Sequence, residues 1–196
     1  MIKKIITILL VLLVCFGCSS KKNDINYTYD IVSYPVDMSK YDGVNSTDHM
    51  FKRVTVDQLF NCIDNKSSGI FYLGRTNCGC CQTCISYMNE AAKQLNVYIY
   101  YIDVYDPDMP LIIPGEDCPE CKANTEKLRE YIWDILEITD SGEKELQTPT
   151  VFSVINGEFG DHLICMSNYS WDNPPTDAQK EKLINRYKQI FEPFVE

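Results

Sequence analysis

Tyr72-Leu73-Gly74-Arg75-Thr76-Asn77-Cys78-Gly79-Cys80-Cys81 carries a strand into a turn, and the turn into a C-x-x-C pair. The strand begins just upstream. Ser67-Ser68-Gly69 breaks the chain, and Ile70-Phe71-Tyr72-Leu73 follows as a compact apolar run, the pattern of a strand covered on both faces. Downstream, Ile85, Met88, Ala92 and Leu95 are spaced for one apolar face, which predicts a helix from the cysteines to about Leu95. Cys78 then falls at a helix start. Free N–H groups and the helix dipole favour an anion there and can pull a thiol pKa from about 8.5 into a range of about 3.5 to 7.5. Cys81 lies one turn further along and is less accessible. Thiol-disulfide exchange needs one thiol partly ionised at neutral pH and a second close enough to resolve the mixed disulfide. Cys78 and Cys81 are therefore the candidate catalytic pair, with Cys78 attacking first. The same spacing describes a zinc knuckle, and spacing alone leaves both readings open.

Outward from this run, Val97 to Val104 reads as the next buried strand. Tyr105 to Gln147 is a longer insertion that opens on a proline-rich loop and holds a helix in which Leu128, Ile132, Ile135 and Ile138 share a face. Pro149 to Ile155, Asn156-Gly157 and Glu158 to Met166 read as a hairpin, since Asn-Gly suits a tight two-residue turn. A closing helix runs from about Asp177 to Phe194, entered through Thr176 and Gln179. Upstream, Thr55 and Gln58 form a capping-box pattern ahead of a short helix to about Asn65. The order implies a βαβ unit followed by a ββα unit. This is an α/β domain over residues 55–196, a central mixed sheet flanked by helices, with a helical insertion before the strand that Pro149 opens.

The run from Tyr72 to Cys81, taken with Thr148-Pro149-Thr150 before a strand and with Asn156-Gly157, resembles the thioredoxin family over about Thr55 to Phe194. Its aromatic-Gly-Arg run is similar to that of the thioredoxin-like proteins called bacteriocin transport accessory proteins. The resemblance implies a thioredoxin-like fold, thiol-disulfide oxidoreductase activity through Cys78 and Cys81, and no cofactor or metal. It also implies that Pro149 is cis and faces the cysteines, leaving backbone groups of Thr148 to pair with a substrate strand, so that Thr148 and Pro149 bind substrate. Without the resemblance Pro149 reads as an ordinary trans proline. Two departures stand out: Gly79-Cys80 replaces the Gly-Pro of thioredoxin, and Ile70 to Leu73 lacks the buried carboxylate that thioredoxin uses nearby.

Ten cysteines is a high count for 196 residues. Cys81-Gln82-Thr83-Cys84 gives a second reading of the dithiol, but that pair lies inside the helix without the exposed N-terminal position; Cys80 and Cys84 are candidate auxiliary thiols. Asp117-Cys118-Pro119-Glu120-Cys121 reads as a second helix start, with Asp117 as cap and Pro119 in the first turn. If the strands at 70 and 97 are parallel, Cys118 and Cys121 form a second dithiol on a loop leaving the same sheet edge as Cys78. A local disulfide, an electron relay and a metal site are all open for that pair. Cys62 and Cys165 read as small buried hydrophobes. Asp103, Asp106 and Asp108 read as a solvated acidic loop, Tyr98, Tyr100 and Tyr101 as strand packing, and His49 and His162 as isolated residues.

Lys3 and Lys4, the apolar run Ile5 to Val14, and Gly17-Cys18 read as an export signal over 1–17. Gly17-Cys18-Ser19-Ser20 resembles the bacterial lipoprotein pattern, which implies lipidation of Cys18, with residues 18–54 as lipidated N-terminus and tether. The expected location is the outer face of the cell membrane, held by the lipid anchor, where disulfides form and persist. Loss of Lys3 and Lys4 takes the formal charge from −10 to −12, which argues against nucleic acid as a partner. The expected partners are thiols or disulfides of exported proteins and an unidentified redox partner. A non-catalytic reading also stands, as a cysteine-rich metal-binding or client-peptide-holding accessory protein.

Overall fold

The computed structural model of the chain describes residues 24–27, 29–106, 111, 118–138, 142–164 and 172–195. The expected signal segment, Cys18, Asp108, Asp117 and Cys165 lie outside the described residues. In chain order the elements are β1 (Phe51–Arg53), α1 (Val56–Asp64), β2 (Gly69–Gly74), α2 (Gly79–Leu95), β3 (Ile99–Asp103), α3 (Pro119–Ile132), β4 (Glu137–Ile138), β5 (Lys144–Glu145), β6 (Thr150–Ile155), β7 (Glu158–Ile164) and α4 (Asp177–Phe191).

The main sheet has the order β1-β3-β2-β6-β7. β2 pairs parallel with β3, as a βαβ crossover requires, and antiparallel with β6, and β7 pairs antiparallel with β6, so the sheet is mixed. Every residue of β2 is buried. Its side chains alternate between two cores: Ile70 and Tyr72 pack with α2 and α4, while Phe71 and Leu73 pack with α1 and α3. The thioredoxin-like arrangement of βαβ, helical insertion and ββα is present. Asn156 and Gly157, at φ 55° and 83°, close the β6–β7 hairpin as the tight turn expected there. The Thr176–Gln179 capping box opens α4.

Several expectations need correction. The segment read as a tether up to residue 54 belongs to the domain from Ile31 onward, because Ile31, Met38, Tyr41 and Val44 are buried and β1 lies on the edge of the sheet beside β3. What holds this segment is polar. On α2, the buried Gln82 donates from Nε2 to the Lys40 carbonyl at 2.8 Å and accepts the Asp42 amide at 2.9 Å. Asn89, two turns further on, accepts the Met50 amide at 2.9 Å. Periodicity of apolar residues does not register such a contact, since its affinity lies in two amide side chains.

The same segment undoes the expected box at α1. Gln58 Oε1 accepts from the Tyr29 hydroxyl at 3.1 Å and the Val32 amide at 3.2 Å, so Thr55 caps without its side chain. In the insertion, Leu128, Ile132 and Ile135 are buried, but Ile138 belongs to β4 and is 70% exposed. The helix ends before it. Its cap is Cys118, with Pro119 in the first turn. Asp106 is not in a solvated loop: it is buried and takes Arg53 Nε and Nη2 at 2.7 and 2.6 Å.

Burial of Met38 distinguishes a folded segment from a tether. Met38→Ala is expected to destabilise the domain by about 2–5 kcal/mol in urea unfolding at fixed redox state, the range for emptying a packed site. An unchanged midpoint would return residues 31–54 to the tether reading.

Candidate active site

β2 ends at Gly74, and its chain turns through Arg75, Thr76 and Asn77 into Cys78, the cap of α2. The turn is pinned from below: Gln82 Nε2 donates to the Thr76 carbonyl at 2.6 Å while also holding Lys40 and Asp42. One buried amide thus ties the cysteine turn to the N-terminal segment. The Cys78 sulfur accepts the Cys81 amide at 3.5 Å, which puts it over the open end of the helix.

On its other side stands the strand that the insertion leads into. The Thr148–Pro149 bond is cis, and the Cys78 sulfur lies 3.5 Å from the Thr148 carbonyl oxygen, a bond that only its protonated form donates. Cys78, Cys81, Thr148 and Pro149 therefore meet, although the sequence separates the two pairs by about seventy residues.

The two thiols differ sharply. Cys78 is half-buried and its pKa is pulled down to about 5, chiefly by the hydrogen bond from the Cys81 side chain, against a desolvation cost, with further help from the Cys81 amide, Thr148 and the Cys80 amide. Cys81 is fully buried, and its pKa is driven up by the hydrogen bond it gives to Cys78, by desolvation and by the Cys78 charge. At neutral pH one is a thiolate and the other a thiol. The Cys80 pKa is raised by partial burial and by the Cys78 charge, so it is a poor competitor for the attacking role. Cys84 is disulfide-bonded, which removes it as an auxiliary thiol and sets aside the Cys81/Cys84 reading. Its partner lies outside the described residues.

Cys118 and Cys121 are joined in a disulfide, with Cα atoms 5.2 Å apart at the start of α3. The Cys118 sulfur accepts the Cys121 amide at 3.1 Å, the same capping contact that Cys78 makes on α2. The loop toward this pair leaves β3 at the edge where β2 ends, with Val104 donating to the Gly74 carbonyl at 3.0 Å. Cys62 is buried, and desolvation pushes its thiol up to about 12, in keeping with a small core side chain. Among the described residues, no three His, Cys, Asp or Glu side chains converge as a metal site.

Two further side chains contribute to the site. Arg75 hydrogen-bonds the Tyr105 hydroxyl, lies over that ring at 5.3 Å, and interacts favourably with the Cys78 charge. Its signal was its place three residues before Cys78. Gln82, like Asn89, is legible only as a polar side chain among Ile85, Met88 and Ala92 on the buried helix face.

No protein-family model matches this chain, and no curated protein does. Similar solved structures include thioredoxin O2 from Arabidopsis thaliana in the oxidized state, at 14% identity over 76% of this chain and 96% of that one, with a TM-score of 0.41. Thioredoxin from Trypanosoma brucei brucei is 16% identical over 76% of this chain and 99% of its own, also at 0.41. Plasmodium falciparum thioredoxin is 18% identical over 69% and 97%, at 0.38. At these scores the strand order and helix placement of this chain, not its neighbours, define its fold.

The depressed pKa sets a pH profile. Alkylation of Cys78 by iodoacetamide, measured in a Cys80→Ser background, should reach half its maximal rate near pH 5. A half-point near the free-cysteine value of about 8.5 would mean that the helix start does not stabilise the thiolate.

Proposed function

We propose that this chain is a thiol-disulfide oxidoreductase acting on exported proteins at the outer face of the cell membrane, with Cys78 as nucleophile and Cys81 as resolving thiol. The inequality of the two thiols supports this best: a thiolate at a helix start, 3.5 Å from a carbonyl beside a cis proline, with a buried protonated thiol one turn behind it. The Cys78 thiolate attacks a client disulfide, forming a mixed disulfide and releasing one client thiolate. Cys81 then loses its proton and attacks the Cys78 sulfur, expelling the second client thiolate and leaving a Cys78–Cys81 disulfide. Two electrons pass from the dithiol to the client, and a separate redox partner must restore the dithiol. Run backward, the same steps oxidise a client.

Thr148 and Pro149 form the docking edge, where backbone groups of Thr148 pair with an extended client segment beside Cys78. Kinship with the bacteriocin transport accessory type, a lipid anchor on Cys18 and an extracytoplasmic site belong to the same proposal, supported by the aromatic-Gly-Arg run and by the apolar stretch before Gly17-Cys18. The metal reading is less well supported, since Cys84 is already engaged in a disulfide.

The trap for this reading is Cys81→Ser with Cys80→Ser, which should accumulate a Cys78 mixed disulfide with exported clients on non-reducing gels. Adding Cys78→Ser should abolish both the trapped species and insulin reduction. Insulin reduction that survives Cys78→Ser would sink the nucleophile assignment. Separately, Cys18→Ala should release the protein from membranes and end its labelling by radioactive fatty acid, and unchanged labelling would exclude Cys18 as the acceptor.

A further inference from the structure

Cys81 must lose a proton before it can attack, yet it is fully buried, and the groups that act on its thiol among the described residues are Cys78, Arg75 and Tyr72, none of them a carboxylate. We propose that this proton leaves through a file of buried tyrosine hydroxyls, Tyr72, Tyr41 and Tyr101, to the carboxylate of Asp103 at the end of β3; the proposal rests on the thiol-exchange reading above. In effect a hydroxyl relay takes the place of a buried acid.

The file begins at Tyr72, which is wholly buried on β2. Its ring leans along the strand over Gly74, so closely that a Cβ on residue 74 would lie 2.2 Å from the Tyr72 hydroxyl oxygen. Only glycine leaves that space. The hydroxyl so placed interacts with the Cys81 thiol on one side and the Tyr41 hydroxyl on the other, and completes a well-aligned hydrogen bond with neither. The relay requires this contact to close when Cys81 moves to attack. The next link is formed already: the Tyr41 and Tyr101 hydroxyls are 2.9 Å apart, and the Tyr101 ring stacks on Tyr72 with centroids 5.3 Å apart. Tyr101 and Asp103 are two residues apart on β3, hence on one face, and their side chains interact.

Asp103 suits the end of such a file. Desolvation raises its pKa, against the hydrogen bond from the Tyr105 amide and the bond from Tyr101; Asp106 adds to the rise and Arg53 opposes it. It is therefore more basic than a surface carboxylate, and being only partly buried it can pass a proton to water. The tyrosines cannot store the charge, because desolvation drives the pKa values of Tyr41, Tyr72 and Tyr101 well up. Each hydroxyl must accept one proton while giving another. Tyr187 on α4 also feels Cys81, but its buried hydroxyl has no partner among the described residues and leads nowhere.

The balance closes. The Cys81 proton enters at Tyr72 and a proton emerges on Asp103. The Cys81 thiolate forms the bond to Cys78 as the Cys78–client bond breaks. The client sulfur leaves as a thiolate and takes up a proton from water, to which Asp103 returns its own.

Dithiobis(nitrobenzoate), whose aromatic thiolate is coloured, separates the two steps by stopped flow in a Cys80→Ser background: Cys78 releases the first equivalent and Cys81 the second. Tyr72→Phe and Asp103→Asn should each slow the second release by about a hundredfold at neutral pH, within the range of general acid–base catalysis. The double variant should be no slower than either single one, and the slowed phase should rise with hydroxide concentration instead of levelling off. Tyr101→Phe interrupts the file at its last hydroxyl, gives the same result, and covers the case in which Tyr72→Phe fails to fold. A second phase whose rate and pH profile survive Asp103→Asn overturns the relay, and so does slowing by Tyr72→Phe alone, since that shows the ring only packs Cys81. Absence of a first phase in the parent removes the oxidoreductase reading and the relay together, a result distinct from a normal first phase with an unaffected second.

Discussion

The central strand β2 turns no face to water, and the rest of the molecule is arranged around that requirement. A strand between two neighbours satisfies its backbone through them, but its side chains still need cover above and below. Ile70 and Tyr72 obtain it from α2 and α4, Phe71 and Leu73 from α1 and α3. The parallel neighbour β3 forces a crossover, and α2 is that crossover. Its start must therefore fall at the edge where β2 ends, which is how a packing demand comes to hold a cysteine at a helix N-terminus.

From that position the two cysteines acquire opposite characters through hydrogen bonding and burial. The Cys78 sulfur collects N–H and S–H donors at the open end of α2, while Cys81, one turn inward, is sealed among Tyr72, Tyr187 and the helix itself. The hydrogen bond that steadies the outer thiolate is the one that withholds the proton of the inner thiol, so activating the first thiol burdens the second. Such a site needs a route for the inner proton, and the strand that supplies the cysteine turn also supplies the tyrosine nearest to it.

The N-terminal segment shows why some contacts escape a linear reading. Thr55 with Gln58 and Thr176 with Gln179 present the same local pattern, yet only the second forms a box, because Gln58 is claimed by Tyr29 and Val32. Gln82 and Asn89 look like solvated helix positions and are instead the anchors of residues 40–50. Asp106 looks like one of several loop carboxylates and is buried against Arg53. In each case the partner is distant along the chain, and hydrogen bonding capacity, unlike hydrophobicity, carries no period that would announce it.

The βαβ and ββα order, the Asn156-Gly157 turn and the placing of Cys78 ahead of Cys81 on a helix start are legible along the chain, because they depend on apolar spacing, turn chemistry and helix ends, all properties of a few adjacent residues. It takes the packed layers to show that Pro149 meets Cys78, that Cys84 is engaged in a disulfide, that residues from Ile31 belong to the domain, and that Tyr72 stacks on Tyr101, whose hydroxyl bonds that of Tyr41 and whose side chain interacts with Asp103. Tyr72 and Gly74 illustrate the boundary: their alternation on a strand is local, but what the hydroxyl reaches over that glycine depends on α2 and on Tyr41, far upstream in the chain. Pairings of that kind are set by how the layers close on one another, and the free energy that selects them comes from burying both faces of β2 at once.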